Sequence, residues 1–190
     1  MKKKIITAGV DEVGRGCLAG PVVSAAVILK QGINSDLLKD SKKIRFNKRK
    51  EISDHIKSHS HYAIGLASVE EILDLNILQA SLLSMKRAIE KLSVKPNLTL
   101  IDGNFIPSGL KNCKTIINGD EKIKVISAAS IIAKVYRDNL MIKLSQKFSN
   151  YAWESNFGYG TKAHLEGLKK FGITSHHRKG FKPVHKILSN

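Results

Sequence analysis

The chain is 190 residues long and 42% of its residues are hydrophobic, which is enough to bury a core in one compact unit. It carries 32 lysines and arginines against 16 aspartates and glutamates, a formal net charge of +16 that indicates a polyanionic partner, most often nucleic acid, although a lysine-rich proteome gives the same excess. No apolar run is long enough for a transmembrane helix, and Cys17 and Cys113 cannot form a disulfide framework, so we expect a cytoplasmic protein that contacts no membrane.

Five short apolar or alternating segments predict β-strands. In chain order they are residues 5–10, 21–29, 62–66, 98–101 and 115–117. A loop that contains several glycines joins the first two strands, and the last two strands are closely followed by an acidic residue next to a glycine.

Helices are predicted from apolar stripes and from capping residues. The segments are 47–59, 76–92, 127–148 and 161–171. Ser68 with Glu71 and Asn76 with Gln79 have the spacing of capping boxes, and Gly172 stands where a helix C-cap is expected. A basic tail follows the last helix.

Strands come first along the chain and then alternate with helices. This order predicts an α/β protein with a mixed sheet, helices on its faces and a helical C-terminal part. Because no internal repeat or long linker divides the sequence, we expect a single domain over residues 1–190, with residues from about 150 forming a C-terminal helical extension.

Two adjacent carboxylates, Asp11 and Glu12, follow the first predicted strand and precede Gly14 and Gly16. In a regular strand they would project to opposite faces, so both reach one site only if the backbone turns there, which glycines permit. Two carboxylates at one point repel each other unless a cation holds them. Taken alone, the pair is equally compatible with a solvated turn after an edge strand.

Two later strands end in similar chemistry, at Asp102 and Asp120, each beside a glycine. Either pair alone is an ordinary turn, but if the strand ends are neighbours, four carboxylates converge. Two Mg²⁺ ions roughly 4 Å apart would neutralise such a cluster, and this arrangement cleaves phosphodiesters. Oxygen ligands favour Mg²⁺ or Mn²⁺, and no cysteine and histidine set has the spacing of a zinc site.

The remaining aromatic and histidine signals are weaker. Tyr159 lies between Gly158 and Gly160, a context that packs poorly in a core, so we expect an exposed ring that stacks on a sugar or base. A loop tyrosine that fills its own turn is the alternative. We interpret His176 and His177 as a surface pair in the basic tail rather than as metal ligands.

Several short motifs follow one another along nearly the whole chain. They are Asp11-Glu12-Val13-Gly14-Arg15-Gly16, Leu18-Ala19-Gly20-Pro21-Val22-Val23, Asp40-Ser41-Lys42-Lys43, Asp102-Gly103-Asn104, Gly119-Asp120, residues 128–135 with Arg137-Asp138, Gly158-Tyr159-Gly160-Thr161 with His164-Leu165, and His177-Arg178. This ordered set closely resembles the bacterial ribonuclease HII family, the type 2 ribonucleases H. No single motif identifies the family, whereas the ordered set is highly specific.

The resemblance implies a ribonuclease H-like fold, in which helices flank a mixed five-stranded sheet. It implies a metal-dependent endoribonuclease that hydrolyses the RNA strand of RNA–DNA hybrids and cuts 5′ to single ribonucleotides embedded in duplex DNA. The products would carry 3′-hydroxyl and 5′-phosphate ends, and the cofactor would be Mn²⁺ or Mg²⁺. We expect a monomer that serves ribonucleotide excision.

The resemblance also implies roles for individual residues. The carboxylates that would bind metal and carry catalysis are Asp11, Glu12, Asp102 and Asp120. The residues that would read the 2′-hydroxyl at the RNA–DNA junction are Gly14, Arg15 and Gly16, and Tyr159 would stack on the sugar there. The basic residues that are candidates for holding phosphates are Lys42, Lys43 and Lys134.

Three positions depart from the family pattern. Cys17 stands where proline is usual, and Phe157 stands where a lysine is usual, which puts one phosphate contact in doubt. Tyr136 replaces a smaller residue, which we interpret as a packing change. None of the three departures removes a catalytic group.

Two other classes of protein remain open at this point. A different nuclease or an integrase on a similar sheet would share the carboxylates, but the present chain should leave DNA without any ribonucleotide uncut. A non-catalytic RNA-binding protein, for example one associated with the ribosome, would explain the charge but not the acidic strand ends. Metal-dependent cleavage would exclude it.

Overall fold

The computed structural model describes residues 5–30 and 46–189, which fold around a five-stranded sheet. The strands are β1 (Thr7–Val13), β2 (Val22–Leu29), β3 (Ser60–Ala67), β4 (Leu98–Asp102) and β5 (Cys113–Ile116). Their order is β3-β2-β1-β4-β5. The pairs β3–β2 and β2–β1 are antiparallel, and the pairs β1–β4 and β4–β5 are parallel. The mixed five-stranded sheet is therefore confirmed.

Helices cover both faces of this sheet. They are α1 (Phe46–Ser58), α2 (Val69–Leu75), α3 (Ile77–Glu90), α4 (Gly119–Lys122), α5 (Lys124–Ser145), α6 (Trp153–Asn156), α7 (Lys162–Phe171) and α8 (Lys182–Leu188), and a 3₁₀ turn covers Ser149–Tyr151. Among the described helices, none is both long enough and apolar enough to cross a membrane.

Capping residues set the starts of α2 and α3 as predicted. Ser68 Oγ accepts the Glu71 backbone N–H at 3.2 Å, and the Glu71 carboxylate accepts the Ser68 backbone N–H at 2.9 Å, so this capping box is complete. Asn76 Oδ1 accepts the backbone N–H groups of Leu78 and Gln79 at 3.0 and 3.1 Å. These bonds satisfy donors that the first turn of a helix leaves free.

Side-chain alternation along the strands divides the core between the two faces of the sheet. Ala25 and Val27 pack with residues of α1 and α5 on one face. Val10 and Ala26 pack with Met85 of α3 on the other face. The same alternation places Asp11, the residue after Val10, on the face that α5 covers.

Helix α5 lies directly against β1 because Gly9 has no side chain. A Cβ atom at this position would stand 2.3 Å from the Val125 carbonyl carbon. This close approach brings Ser130 and Lys134 of α5 beside the carboxyl end of β1, where they line the same cavity as Asp11.

The C-terminal helices pack against the loop that follows β1. Leu18 and Ala19 of this loop join Trp153 and Leu168 in one hydrophobic cluster, and Ala19 forms an isolated bridge with His177. The C-terminal segment is therefore fixed next to the end of β1.

Several predicted boundaries differ from the structure. The first strand continues to Val13, because pairing with β2 persists after pairing with β4 has ended at Val10. The long helix begins and ends three residues earlier than predicted, because Phe148 continues the apolar spacing but packs in the C-terminal cluster outside α5. The basic tail contains α8, with Pro183 in its first turn, where a missing N–H costs nothing.

Candidate active site

A cavity of about 350 Å³ at the carboxyl ends of β1 and β4 contains the four predicted carboxylates. The residues that line it are Asp11, Glu12, Val13, Arg49, Asp102, Asp120, Ser130, Ile131, Lys134 and Tyr159. Acidic groups from three separate parts of the chain thus meet basic groups from α1 and α5 and one aromatic ring.

Asp11 stands one position beyond Val10, which pairs with Ile101, and so lies level with Asp102 on the neighbouring strand. Its side chain is only 6% exposed, and its Oδ1 accepts the Glu12 backbone N–H at 2.7 Å. Burial raises the pKa of the Asp11 carboxyl well above its usual range, and the charges of Glu12 and Asp102 raise it further. The ionised form of Asp11 is therefore unfavourable unless a cation binds close to it.

Glu12 reaches the same cavity although it lies within the strand, which is not the turn predicted from the sequence. It still pairs with Ser24 of β2 but stands beyond the last β1–β4 pair, so β4 does not flank it, and its side chain lines the cavity. Arg15 Nη1 lies 3.3 Å from Glu12 Oε1. Burial nevertheless raises the Glu12 pKa, since it outweighs the favourable charge of Arg15.

A hydrogen bond from Gly119, the residue before Asp120, connects Asp120 to Asp102. Asp102 Oδ1 accepts the Gly119 N–H at 2.6 Å, which ties the end of β4 to the start of α4. Asp120 follows in the first turn of α4, 7% exposed, rather than at a strand end as predicted. The single helical turn explains the difference, because it folds the segment after β5 back towards β4.

The chemistry of these donors fits a hard divalent cation. All four groups are carboxylates. A cation would compensate for the burial that raises the pKa of Asp11 and for the repulsion from Glu12 and Asp102 that adds to it. Within residues 5–30 and 46–189, no group of three or more histidine, cysteine or acidic side chains is arranged so that it could hold a metal ion. Asp11 and Asp102 each accept a backbone N–H group, which orients these two carboxylates without a cation.

A buried carboxylate, Asp138, holds two cations in the cavity wall. Its oxygens lie 2.8 Å from Lys134 Nζ and 3.9 Å from Arg49 Nη1. Lys134 Nζ also lies 4.9 Å from the centre of the Phe157 ring. The structure thus places Lys134 at the site, whereas Lys42 and Lys43 lie outside the described residues. Sequence reasoning missed Arg49 because it belongs to a stretch with many basic residues.

Gly14 begins the loop that follows the carboxylates and adopts a φ of +94°. A Cβ there would stand 2.2 Å from Arg137 Nε. Arg137 is fully buried and donates hydrogen bonds of 2.7 to 2.9 Å to the carbonyl oxygens of Ala19, Pro21 and Phe157. Gly14 is therefore needed both for the backbone turn and for the room that Arg137 occupies.

A second buried arginine, Arg178, completes the support of this loop. It donates to the carbonyl oxygens of Arg15 and Gly20 at 2.9 Å in each case. Burial lowers the pKa of Arg178 to about 10. The motifs contain both buried arginines, but a sequence gives no direct signal that an arginine is buried, since arginine is usually exposed.

Tyr159 lies at the edge of the cavity with 38% of its surface exposed, in agreement with the predicted exposure. Burial of the hydroxyl end raises its pKa to about 12, and Cys17 contributes to the increase. Cys17 itself is fully buried, and burial raises the pKa of its thiol. Tyr136 is 42% exposed and is not among the residues that line the cavity.

The predicted surface location of His177 is wrong. Its side chain is fully buried, in ring contact with Trp153 and within 3.1 Å of His164 Nε2. The reason is that the segment after α7 turns back under the loop after β1, where Ala19 pairs with His177. His177 is thus a core histidine.

We expect the contribution of two buried histidines, His164 and His177, to the free energy of unfolding to fall as the pH is lowered below 6.5. Burial lowers the pKa of His177 to about 3 and also lowers that of His164 from the usual 6.5. Between these values the unfolded chain binds protons at the two histidines that the folded chain excludes. Their contribution to stability is therefore fully present above pH 6.5 and is lost as the pH falls towards 3. Urea unfolding at several pH values measures this slope.

The His177→Gln variant should show a shallower dependence, because one buried histidine is gone. An identical slope in both proteins would contradict the assignment.

Comparison with known proteins agrees with this geometry. The family model described as Ribonuclease HII matches residues 8–185. A ribonuclease HII of Pelagibacter ubique (strain HTCC1062) is 59% identical over 185 residues, 96% of this chain and 99% of the relative. The crystal structure of ribonuclease H2 from Pyrococcus horikoshii OT3 is similar with a TM-score of 0.81 and 28% identity, covering 96% of this chain and 97% of that one. Bst-RNase HIII in complex with Mn²⁺ shares the fold alone, with a TM-score of 0.75, 18% identity, and 97% and 70% of the two chains covered.

The mixed sheet, its flanking helices and the acidic cavity define a nuclease of the ribonuclease H type. The family match spans nearly the whole chain, and the relative from Pelagibacter ubique is covered almost completely. The chain belongs to the ribonuclease HII family. It is an endoribonuclease that acts on RNA–DNA hybrids.

Proposed function

We propose that the chain cuts on the 5′ side of single ribonucleotides embedded in duplex DNA, as well as within RNA–DNA hybrids, and leaves 3′-hydroxyl and 5′-phosphate ends. The observation that carries this proposal is that one cavity holds the four carboxylates and Tyr159, with the Gly14 loop beginning two residues after Glu12 in the chain. Catalytic and junction-recognising groups are thereby close enough to act on one nucleotide.

The cofactor in this proposal is Mg²⁺ or Mn²⁺, held by Asp11, Glu12, Asp102 and Asp120. A divalent ion bound there would activate the attacking water and stabilise the leaving oxygen. The chain contributes fixed negative charge in a largely buried setting, where electrostatic interactions are stronger than in water. The Mn²⁺ in the complex of Bst-RNase HIII, a neighbour in fold, supports the choice of cation.

The loop of Gly14, Arg15 and Gly16 is proposed to recognise the 2′-hydroxyl. Among the described residues, and apart from the chain neighbours Arg15 and Cys17, none has an atom within 4 Å of where a Gly16 Cβ would lie, which leaves room for a ligand at the backbone. Arg15 is half-exposed and contacts Glu12, which connects recognition of the sugar to a catalytic carboxylate. The 2′-hydroxyl is the group that distinguishes RNA from DNA.

Phosphates are proposed to bind the basic wall of the cavity. Arg49 and Lys134 are held there by Asp138, and Lys42 and Lys43 remain candidates from the sequence. Phe157 stands at the sequence position where the family usually has a lysine, and Lys134 lies against its ring. A cytoplasmic location, a monomeric state and a single-domain organisation stay predictions.

We expect Tyr159→Ala to slow cleavage at a single ribonucleotide in a DNA duplex by roughly 5- to 100-fold, because a stacked ring contributes about 1–3 kcal/mol. Cleavage rates under single-turnover conditions with Mg²⁺ or Mn²⁺ measure this loss. Tyr136→Ala is the matched control, since its ring is similarly exposed but lies outside the cavity.

Unchanged cleavage in the Tyr159→Ala variant would remove this residue from junction recognition. Cleavage of a duplex that contains no ribonucleotide would contradict the proposed specificity as a whole.

A further inference from the structure

A buried chain of hydrogen bonds connects the segment after α7 to the backbone of Tyr159. His164 is fully buried, and its Nδ1 lies 2.9 Å from the Tyr159 carbonyl oxygen. Its Nε2 lies 3.1 Å from both Trp153 Nε1 and His177 Nε2. At the far end, His177 Nδ1 lies 2.9 Å from the Thr174 backbone nitrogen.

The donors in this chain determine where the ring protons lie. The indole N–H of Trp153 can only donate, so His164 Nε2 accepts and the proton of His164 is on Nδ1, from which it donates to Tyr159. The backbone N–H of Thr174 can only donate, so His177 Nδ1 accepts and His177 Nε2 donates to His164. Both rings are neutral, which agrees with the lowered pKa that burial gives each of them.

The turn that carries the Tyr159 ring is held by its backbone. The Tyr159 N–H donates to the Asn156 carbonyl at 2.9 Å, and the Gly158 carbonyl accepts the Leu18 N–H at 2.8 Å. The Tyr159 carbonyl accepts two donors, the Thr161 N–H at 2.8 Å and His164. Glycines flank Tyr159, so the backbone of this turn depends on hydrogen bonds for its direction. The ring itself also contacts the Cys17 thiol and lies 5.6 Å from Lys134 Nζ.

We propose that His164 is a positioning residue, whose Nδ1–H fixes the Tyr159 peptide, and that Trp153 and His177 hold His164 in the tautomer that this role requires. The inference rests on the proposed contact of Tyr159 with the junction sugar. A ring that is already oriented loses less conformational freedom when the substrate binds. Loss of the Nδ1–H donor should therefore weaken the contact of the Tyr159 ring with the substrate sugar without disturbing the four carboxylates.

Two substitutions at His164 separate this role from simple packing. In His164→Asn the side-chain amide N–H stands the same number of bonds from Cβ as Nδ1, so the donor to Tyr159 is kept. In His164→Gln the amide reaches the position of Nε2, and the donor to Tyr159 is lost. We expect a KM for the single-ribonucleotide duplex that rises roughly tenfold in the Gln variant, with kcat little changed, and that is largely restored in the Asn variant. His185→Gln, an exposed histidine of α8, is the control.

The Gln change should have no further effect in a Tyr159→Ala background, because both substitutions act through the same ring. Equal losses in the Asn and Gln variants would overturn the proposal, and so would a Gln effect that persists without the Tyr159 ring. If Tyr159→Ala alone leaves cleavage unchanged, the proposed function of Tyr159 fails. NMR then decides the positioning role. The order parameter of the Tyr159 ring should fall in the Gln variant and not in the Asn variant.

Nitrogen NMR of the wild-type protein tests the same inference without any substitution. His164 should carry its proton on Nδ1 and His177 on Nε2. The single tryptophan gives one indole N–H signal, which should show the bond to His164. A proton on Nε2 of His164 would overturn the proposal even if a variant failed to fold.

Discussion

The Asp11→Asn variant is expected to cleave ribonucleotide-containing duplexes at least ~100-fold more slowly than the unsubstituted chain, with little change in duplex affinity. Asp11 lies at the centre of the acidic group, near Glu12, Asp102 and Ser130. An asparagine has a similar shape but supplies no negative charge to a divalent ion. Single-turnover cleavage and equilibrium binding of the same labelled duplex measure the two quantities separately.

The same substitution should stabilise the metal-free fold. Burial and the neighbouring carboxylates raise the pKa of Asp11, which means that its negative charge opposes folding near neutral pH. We therefore expect a higher Tm for Asp11→Asn in EDTA, and a smaller increase in Tm when Mg²⁺ or Mn²⁺ is added. Asp74→Asn, an exposed aspartate of α2, is the matched control. A variant that cleaves at a near-normal rate would remove Asp11 from the mechanism.

The second large effect is expected at Gly14. Gly14→Ala should lower the free energy of unfolding by about 2–4 kcal/mol, because alanine is strained at this φ and its methyl group collides with the Arg137 guanidinium. Displacement of Arg137 would also release carbonyl groups of the loop and of the Phe157 segment. Urea unfolding measures the change in stability.

Gly16→Ala is the matched comparison, since in the part of the chain that the structure describes a Cβ there meets no atom within 4 Å beyond its own chain neighbours. Its stability should stay within ~0.5 kcal/mol of the unsubstituted value. Cleavage should nevertheless fall if the substrate approaches this backbone closely. Equal stability losses for the two alanine variants would contradict the assigned role of Gly14.

The sequence predicted the sheet and its order of elements well, because strands such as Val22–Leu29 and the caps at Ser68 and Asn76 have clear local signals. The carboxylate group could also be predicted, since Asp11 and Asp102 each follow an apolar strand segment, and β1 and β4 pair in parallel up to the residues just before them. Glu12 could not be placed correctly, because its access to the cavity depends on where β4 stops pairing, and this is a property of the sheet.

Local sequence patterns could not predict which polar side chains are buried. Arg137, Arg178 and His177 are each fully or almost fully buried, and each is held by partners far away in the chain. The family motifs include all three residues, but only the tertiary hydrogen bonds show that they support the loop after β1 and the Tyr159 turn.

Crystals grown with Mn²⁺ and measured near the manganese absorption edge would show whether the four carboxylates hold the metal. Anomalous density is expected among the carboxylates of Asp11, Glu12, Asp102 and Asp120, and it should be lost or weakened in Asp11→Asn crystals. Manganese bound elsewhere in an active protein, with no density at these four carboxylates, would show that they are not the metal site.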